Sequence, residues 1–285
     1  MTSTDSHWFT DDRELSCIDV SERSWQYGDG LFETIAVRDG EPRLLDWHLE
    51  RLETGCRRLG VGPVEEKRLQ AAIAAALRQA QSMDGFATMK LIVTAGSGPR
   101  GYRRPPSAEA GVYAGVFPAR PLPAGCYRDG VEVRRSSMRL AEQPALAGIK
   151  SLNRLEQVLA RREWDSAEIF EGLTMDTSGR LICGTMSNVF LVDGNRVSTP
   201  DLSRAGVNGI MRRKVLETLS VLGTDVAVVD VGARDVDRCP EMFLTNSQFG
   251  VVPIAVLDDR HLRPGPTTRS LMHALIETGF PEMVA

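Results

Sequence analysis

The chain has 285 residues, of which 42% are hydrophobic and 25% charged, a composition typical of globular proteins. This length exceeds the size at which one core usually stops growing, so we expect two domains. The formal net charge of −4 predicts no binding to nucleic acid or to anionic membranes. The N-terminus lacks the basic start and apolar run of a signal peptide, and no segment is long enough to span a bilayer. We therefore expect a cytoplasmic protein with reduced cysteines.

The N-terminal part predicts a sheet with two helices. A strand over 31–37 ends at the Asp39-Gly40 turn, a common hairpin signal. Asp46 stands where a helix N-cap is expected, and apolar residues recur at helical spacing up to Gly60. The next predicted elements are a helix over 65–82 and strands over 87–94 and 111–117.

A proline-rich segment, PARPLPAG at 118–125, predicts a linker. The predicted domains are therefore an N-terminal one over 1–118 and a C-terminal one over 126–285, joined by 119–125. Strands and helices are mixed without regular alternation, which favours an α+β fold in each domain. The C-terminal elements are strands over 130–139, 168–174, 188–192, 226–231, 241–245 and 251–257, helices over 151–164, 208–222 and 267–278, and a turn at 193–195.

One glycine-rich run, Gly96 to Gly101, satisfies the GxGxxG pattern of dinucleotide sites. That mechanism needs a helix that opens at the third glycine, but Tyr102-Arg103-Arg104-Pro105-Pro106 cannot start one. We therefore predict a flexible substrate loop, in which Arg100 could capture a carboxylate.

A second glycine-rich turn, Ala205 to Gly209, leads directly into a periodic helix that starts near Ile210. The unpaired N–H groups and the dipole at such a start favour a phosphate. The plain alternative is an ordinary loop-to-helix junction, and these residues alone favour that alternative.

Only four lysines occur in the chain. Lys67 and Lys214 lie on polar helix faces, and Lys90 alternates with apolar residues in a strand, which leaves its direction open. Lys150 follows the apolar run Leu146 to Ile149. A lysine beside apolar surface loses its proton more easily and can act as an amine nucleophile, although most lysines are merely solvated.

The run Gln26-Tyr27-Gly28-Asp29-Gly30-Leu31-Phe32-Glu33-Thr34 and the later His48-Leu49-Glu50-Arg51-Leu52 resemble the fold-type IV pyridoxal-phosphate enzymes. That family includes branched-chain aminotransferases, D-amino-acid aminotransferases and aminodeoxychorismate lyases. The resemblance covers about 18–257, and it implies a two-domain α+β fold, pyridoxal 5'-phosphate as cofactor and a homodimer.

Within the family, three stretches are most similar to the lyases: 96–102 (GSGPRGY), 146–161 (LAGIKSLNRLEQVLAR) and 205–212 (AGVNGIMR). The resemblance therefore implies conversion of 4-amino-4-deoxychorismate to 4-aminobenzoate and pyruvate, a step of folate biosynthesis. The alternatives are a D-amino-acid or branched-chain aminotransferase, and a cofactor-binding protein that has lost catalysis.

The resemblance also implies roles for individual residues. Lys150 matches the lysine that carries the cofactor covalently and then transfers the proton, and Arg51 matches the arginine that pairs with the cofactor phosphate. The other implied cofactor contacts are Cys183, Asn188, Ile210, Met211, Thr245 and Asn246. The implied substrate contacts are Tyr27, Thr34, Arg100 and Tyr102.

One position departs from the family pattern. Where the family has a glutamate that faces the cofactor's ring nitrogen, alignment on 184–190 places Cys183. A thiol has a reference pKa of about 8.5 against about 4.3 for glutamate, so Cys183 is expected to be neutral. We hypothesise that a lyase tolerates this change, because aromatisation of its product supplies driving force that transamination lacks. Glu171 and Asp176 are the acidic residues that could substitute.

Overall fold

The computed structural model describes residues 6–106 and 108–283. They form two compact units, one of 6–120 with 149–153 and one of 121–148 with 154–283. Both units contain strands and helices, which confirms the predicted α+β class. The predicted extents, 1–118, 119–125 and 126–285, stay predictions. No sequence signal indicated that the short segment 149–153 belongs with the N-terminal residues.

The first unit contains one antiparallel sheet of six strands in the order β2-β1-β6-β5-β3-β4. Its elements are β1 (His7–Thr10), β2 (Arg13–Glu14), α1 (Arg23–Tyr27), β3 (Gly30–Arg38), β4 (Glu41–Pro42), α2 (Leu45–Leu59), α3 (Glu66–Ala80), β5 (Phe86–Thr94) and β6 (Gly111–Pro118).

Alternation along the central strands gives this sheet two different faces. Ile35 on β3 and Met89 and Leu91 on β5 are fully buried in a core that α2 and α3 cover. Residues between them, such as Phe32 and Lys90, point to the opposite face and are half-buried, as a period of two requires. That opposite face therefore carries side chains that α2 and α3 do not cover.

The second unit contains a mixed sheet of ten strands in the order β12-β11-β10-β14-β15-β7-β8-β9-β13, with β16 also paired to β15. Its elements are α4 (Ala124–Arg128), β7 (Val131–Leu140), α5 (Leu155–Arg161), β8 (Ile169–Asp176), β9 (Arg180–Gly184), β10 (Asn188–Asp193), β11 (Arg196–Pro200), α6 (Ile210–Val221), β12 (Asp225–Val229), β13 (Val231–Gly232), α7 (Ala233–Arg238), β14 (Glu241–Asn246), β15 (Gly250–Leu257), β16 (Arg260–His261) and α8 (Pro266–Glu277), followed by a 3-10 turn (Pro281–Met283).

Two details of the predicted helices were wrong. The helix predicted over 151–164 spans only Leu155–Arg161, because Lys150 and Leu152 hydrogen bond to β3 and must be extended. Asp46 is not the N-cap of α2, since the helix starts at Leu45 after Leu44. Asp46 lies instead in the first turn, where a carboxylate favours the positive end of the helix dipole.

The predicted turns are confirmed. Asp39 and Gly40 both have positive φ and connect β3 to β4, and 194–195 connects β10 to β11. No helix follows the GxGxxG run within 101–106 and 108–110, which argues against a dinucleotide site there. Among the residues with described positions, no helix has the length and apolar character needed to cross a membrane.

Candidate active site

Lys150 lies beside β3 in the first unit. Its carbonyl accepts the Phe32 amide at 2.9 Å, and Leu152 donates to the carbonyl of Gly30 at 3.0 Å, so the backbone on both sides is fixed. The Lys150 Nζ lies 4.4 Å from the centroid of the Phe32 ring. The amine is therefore half-buried against an aromatic face, an environment of low polarity that suits amine chemistry.

A buried carboxylate, Glu33 on β3, is paired with two side chains of helix α2. It accepts two hydrogen bonds from Arg51, with Nε at 2.8 Å and an Nη at 2.5 Å, and one from His48 Nδ1 at 2.6 Å. The two-pronged contact fixes the plane of the guanidinium. Arg51 was predicted from the sequence, whereas the carboxylate that orients it was not.

Burial and charge set the ionisation of this cluster. Burial by itself would raise the pKa of Glu33, but Arg51 and the His48 hydrogen bond outweigh it and lower that pKa. Burial lowers the pKa of His48, with smaller effects from the Arg51 and Lys150 charges, although Glu33 opposes this shift. At neutral pH the cluster thus holds an anionic Glu33 against a cationic Arg51 and a neutral His48.

The predicted substrate residues of the first unit occupy two places. Tyr27 accepts the Gly101 amide at 2.9 Å, and its ring lies 5.6 Å from that of Tyr102. Arg100 and Tyr102 are exposed on the glycine-rich loop. Thr34 is not on that loop. It is half-buried on the sheet face that α2 and α3 do not cover, directly opposite Lys90.

A salt-bridge cluster that was not predicted fastens the glycine-rich loop. Asp29 pairs with Arg23 at 2.8 Å and also with Arg104. Arg23 donates to the carbonyls of Gly101 and Tyr102 at 2.9 and 3.0 Å. A cavity of about 510 Å³ is lined by Arg23, Asp29, Tyr102 and Arg104, together with Tyr27 and Asn153. The only sequence signal was the clustering of charges near YGDG and GYRRP.

The second glycine-rich turn has the geometry of an anion cradle. Gly209 is the N-cap of α6 and offers no side chain of its own, so the first N–H groups, those of Ile210 and Met211, have no acceptor within the helix. A Cβ on Gly209 would lie 2.0 Å from Asn188 Oδ1. The amide of Asn188 donates to the Val207 carbonyl at 3.0 Å, so Asn188 supports the turn.

This turn is also tied to the chain just before Lys150. Gly148 donates to the Gly206 carbonyl at 2.9 Å, and Asn208 donates to the Gly148 carbonyl at 3.0 Å, both within the second unit. Lys150 follows Gly148 by two residues. The backbone that carries the lysine therefore starts from the same turn that opens α6.

Cys183 is buried on β9 among the apolar residues Leu140, Ile182, Leu202 and Ala205. Its Sγ lies 3.7 Å from Thr174 Oγ1. Burial raises the pKa of Cys183 to about 11, and the negative charge of Glu171 adds to the rise. The thiol is thus neutral across the physiological range, as the sequence analysis predicted.

The two acidic residues that could have replaced the missing glutamate are engaged elsewhere. Glu171 accepts hydrogen bonds from the Gly172, Thr185 and Met186 amides and from the Thr185 and Ser187 hydroxyls, at 2.5–3.1 Å. Asp176 pairs with Arg180 at 2.5 Å. Both carboxylates therefore stabilise the turns that follow β9 and β8.

Thr245 and Asn246 end β14, and their side chains close the turn into β15. Thr245 donates to the Gly250 carbonyl at 2.7 Å, while Asn246 accepts the amides of Gln248 and Phe249 at 2.8 and 3.1 Å. Asn246 also donates to the Met186 carbonyl at 3.3 Å. A cofactor contact from these two residues stays a prediction.

Comparison with known proteins places this arrangement in a family. The Amino-transferase class IV profile matches residues 30–257. An aminodeoxychorismate lyase of Vibrio harveyi is 37% identical over 84% of this chain and 86% of its own length. A D-alanine aminotransferase of Bacillus licheniformis is 28% identical over 93% and 92% of the two chains. The crystal structure of 4-amino-4-deoxychorismate lyase from Pseudomonas aeruginosa superposes with a TM-score of 0.88, at 42% identity over 95% and 98% of the two chains. The chain belongs to the aminotransferase class IV family.

Proposed function

We propose that this protein is a pyridoxal 5'-phosphate-dependent lyase that converts 4-amino-4-deoxychorismate to 4-aminobenzoate and pyruvate, a step of folate biosynthesis. The observation that carries the proposal is the placement of Lys150, whose backbone is hydrogen bonded to β3 and whose amine lies against the Phe32 ring. The two lyases named above support it with 37% and 42% identity over most of the chain.

The described residues fit the cofactor. The cradle before α6, where a Cβ on Gly209 would collide with Asn188, provides N–H groups of Ile210 and Met211 for a phosphate. Arg51, whose plane Glu33 fixes, would add a positive charge to that phosphate. Lys150 would hold the cofactor's aldehyde carbon.

The chemistry can be assigned to residues of this chain. When bound, pyridoxal 5'-phosphate supplies a conjugated ring that accepts the electron pair left by a lost proton. The Lys150 amine takes that proton from the substrate carbon that bears the amino group. The bond from the substrate ring to the enolpyruvyl oxygen then breaks, the ring becomes aromatic, and the departing enolpyruvate takes up a proton and is released as pyruvate. Aromatisation makes the step irreversible in practice.

The second candidate is an aminotransferase, which the 28% identical D-alanine aminotransferase supports. That reaction also needs a controlled return of the proton, which a protonated ring nitrogen assists. The neutral thiol of Cys183 gives no anionic support to such a nitrogen, and Glu171 and Asp176 are both engaged. The lyase is therefore the better match.

The working form that we propose is a cytoplasmic homodimer. Helix α5 supports the dimer, because one of its faces exposes three large apolar side chains. These are Leu155, Val158 and Leu159, with exposed fractions of 77%, 53% and 48%. A second copy of the chain would cover such a face. Sedimentation analysis of the purified protein should give twice the chain mass, and a monomer at micromolar concentration would contradict the dimer.

The test of the function is product analysis with enzymatically generated 4-amino-4-deoxychorismate. We expect 4-aminobenzoate and pyruvate in equal amounts, with no requirement for a 2-oxo acid. Formation of glutamate from 2-oxoglutarate and an amino donor, without release of 4-aminobenzoate, would identify the aminotransferase instead. Cofactor-loaded protein that gives neither product would contradict both.

A further inference from the structure

A second lysine lies on the same aromatic ring as Lys150. The Lys90 Nζ is 5.1 Å from the centroid of Phe32, and the Lys150 Nζ is 4.4 Å from it. The two ammonium or amine groups are thus separated by no more than the sum of these distances. Lys90 is held on the central strand β5, paired to Thr34 on one side and to Gly115 on the other.

Within 6–106 and 108–283, no carboxylate compensates the charge of Lys90. On the sheet face that α2 and α3 do not cover, its neighbours are Phe32, Thr34, Thr88 and Ile92. Gly115, which pairs with Lys90 on β6, has no side chain, and the Trp8 ring occupies the space beside it. Among the described residues, no side chain hydrogen bonds to Lys90 or forms an ion pair with it. Burial lowers the pKa of Lys90, and no nearby charge opposes that shift.

A half-buried cation whose described partner is an aromatic ring alone is unfavourable for folding, because the Phe32 ring offsets only part of the hydration that the charge loses. Hence a lysine in this position needs another reason, and a negatively charged ligand supplies one. Substrate chemistry provides the ligand: 4-aminobenzoate and pyruvate each keep one carboxylate, so their common precursor carries two.

We propose that Lys90 binds a carboxylate of the substrate and thereby determines specificity for a dicarboxylate. The assignment rests on the proposed lyase function and deepens it. Lys150 reaches the carbon that bears the amino group, and Lys90, whose amine lies over the same Phe32 ring, holds a carboxylate. Thr34, opposite Lys90 on β3, lies beside the same carboxylate position.

The test compares Lys90→Met, Lys90→Arg and the control Lys67→Met, which removes an exposed lysine from α3. A charged hydrogen bond contributes about 1.5–3 kcal/mol, so Lys90→Met should raise KM for 4-aminobenzoate release about tenfold or more. We expect kcat to change by less than about threefold, because the group binds and does not move the proton. Lys90→Arg should recover part of the affinity, and Lys67→Met should behave as wild type.

Calorimetry with 4-aminobenzoate and with pyruvate separates this proposal from the lyase function itself. Weaker binding of either product to the Lys90→Met holoenzyme supports the proposal and shows which carboxylate Lys90 holds. Wild-type protein that binds neither product, or a variant that binds both unchanged, would overturn it. Loss of the cofactor's visible absorbance in Lys90→Met would also overturn it, since Lys90 would then act on the cofactor. Failure of the wild type to release 4-aminobenzoate would count against the lyase alone.

Discussion

A buried carboxylate is stable only when its partners offset the loss of water, and Glu33 has such partners in Arg51 and His48. The same contacts fix the direction of the Arg51 guanidinium. At the scale of single residues, motif similarity predicted Lys150 and Arg51. It did not predict a role for Glu33 or Lys90, because alternation along a strand does not show which face of the sheet is buried in the core and which is available to a ligand.

The neutral thiol of Cys183 gives a prediction at this scale. In Cys183→Glu, a carboxylate would enter an apolar cluster near the buried Glu171. We expect the thermal midpoint of the cofactor-free protein to fall. Repulsion from the Glu171 charge and the loss of hydration of the new carboxylate both disfavour the folded state. We also expect lyase turnover to rise by less than about a hundredfold, since aromatisation already drives the reaction.

Differential scanning fluorimetry and product release measure these two effects. Cys183→Ser, which keeps a neutral side chain of similar size, is the matched control and should retain turnover. An increase of a hundredfold or more in Cys183→Glu would show that the missing carboxylate limits the wild-type enzyme. The hypothesis that a lyase tolerates its absence would then be wrong.

At the scale of elements, our proposal assigns the cofactor phosphate to the loop before α6. Gly209→Ala should weaken cofactor binding. The new Cβ would lie 2.0 Å from Asn188 Oδ1, so the loop would have to move. We expect the dissociation constant of the cofactor to rise about tenfold or more, equivalent to about 1.4 kcal/mol or more. Equilibrium dialysis, read by cofactor absorbance, measures this change.

Gly125→Ala is the control for that substitution, because its Cβ would meet nothing closer than 3.5 Å and it lies in helix α4 of the same unit. It should leave cofactor affinity unchanged. Equal affinities for wild type and Gly209→Ala would show that the α6 loop does not hold the phosphate. In that case the N–H groups of Ile210 and Met211 would lose their proposed role.

Element prediction from the sequence worked where local signals dominate. Strands such as β3 and β5 and helices such as α6 have strong periodicity, and their predicted bounds agree with the structure within about two residues. The helix predicted over 151–164 was wrong at its start because 149–153 pairs with β3, a contact between residues far apart in sequence. Local patterns carry no information about such pairing.

At the scale of the whole molecule, composition and length predicted two α+β domains, and the family resemblance supplied the rest of the architecture. The units themselves interleave in sequence, since 149–153 belongs with the N-terminal residues. Within the first unit, this segment is hydrogen bonded to β3, which fixes the backbone of Lys150 beside Phe32.

The central claim is that Lys150, and not the neighbouring Lys90, carries the cofactor and moves the proton. The most direct measurement is peptide mass spectrometry after borohydride has fixed the bond between lysine and cofactor, with turnover of Lys150→Ala measured alongside. We predict that the cofactor mass lies on the peptide containing Lys150 and that Lys150→Ala releases no 4-aminobenzoate, while Lys67→Ala matches wild type. Cofactor mass on the Lys90 peptide, or turnover by Lys150→Ala at the wild-type rate, would contradict the account.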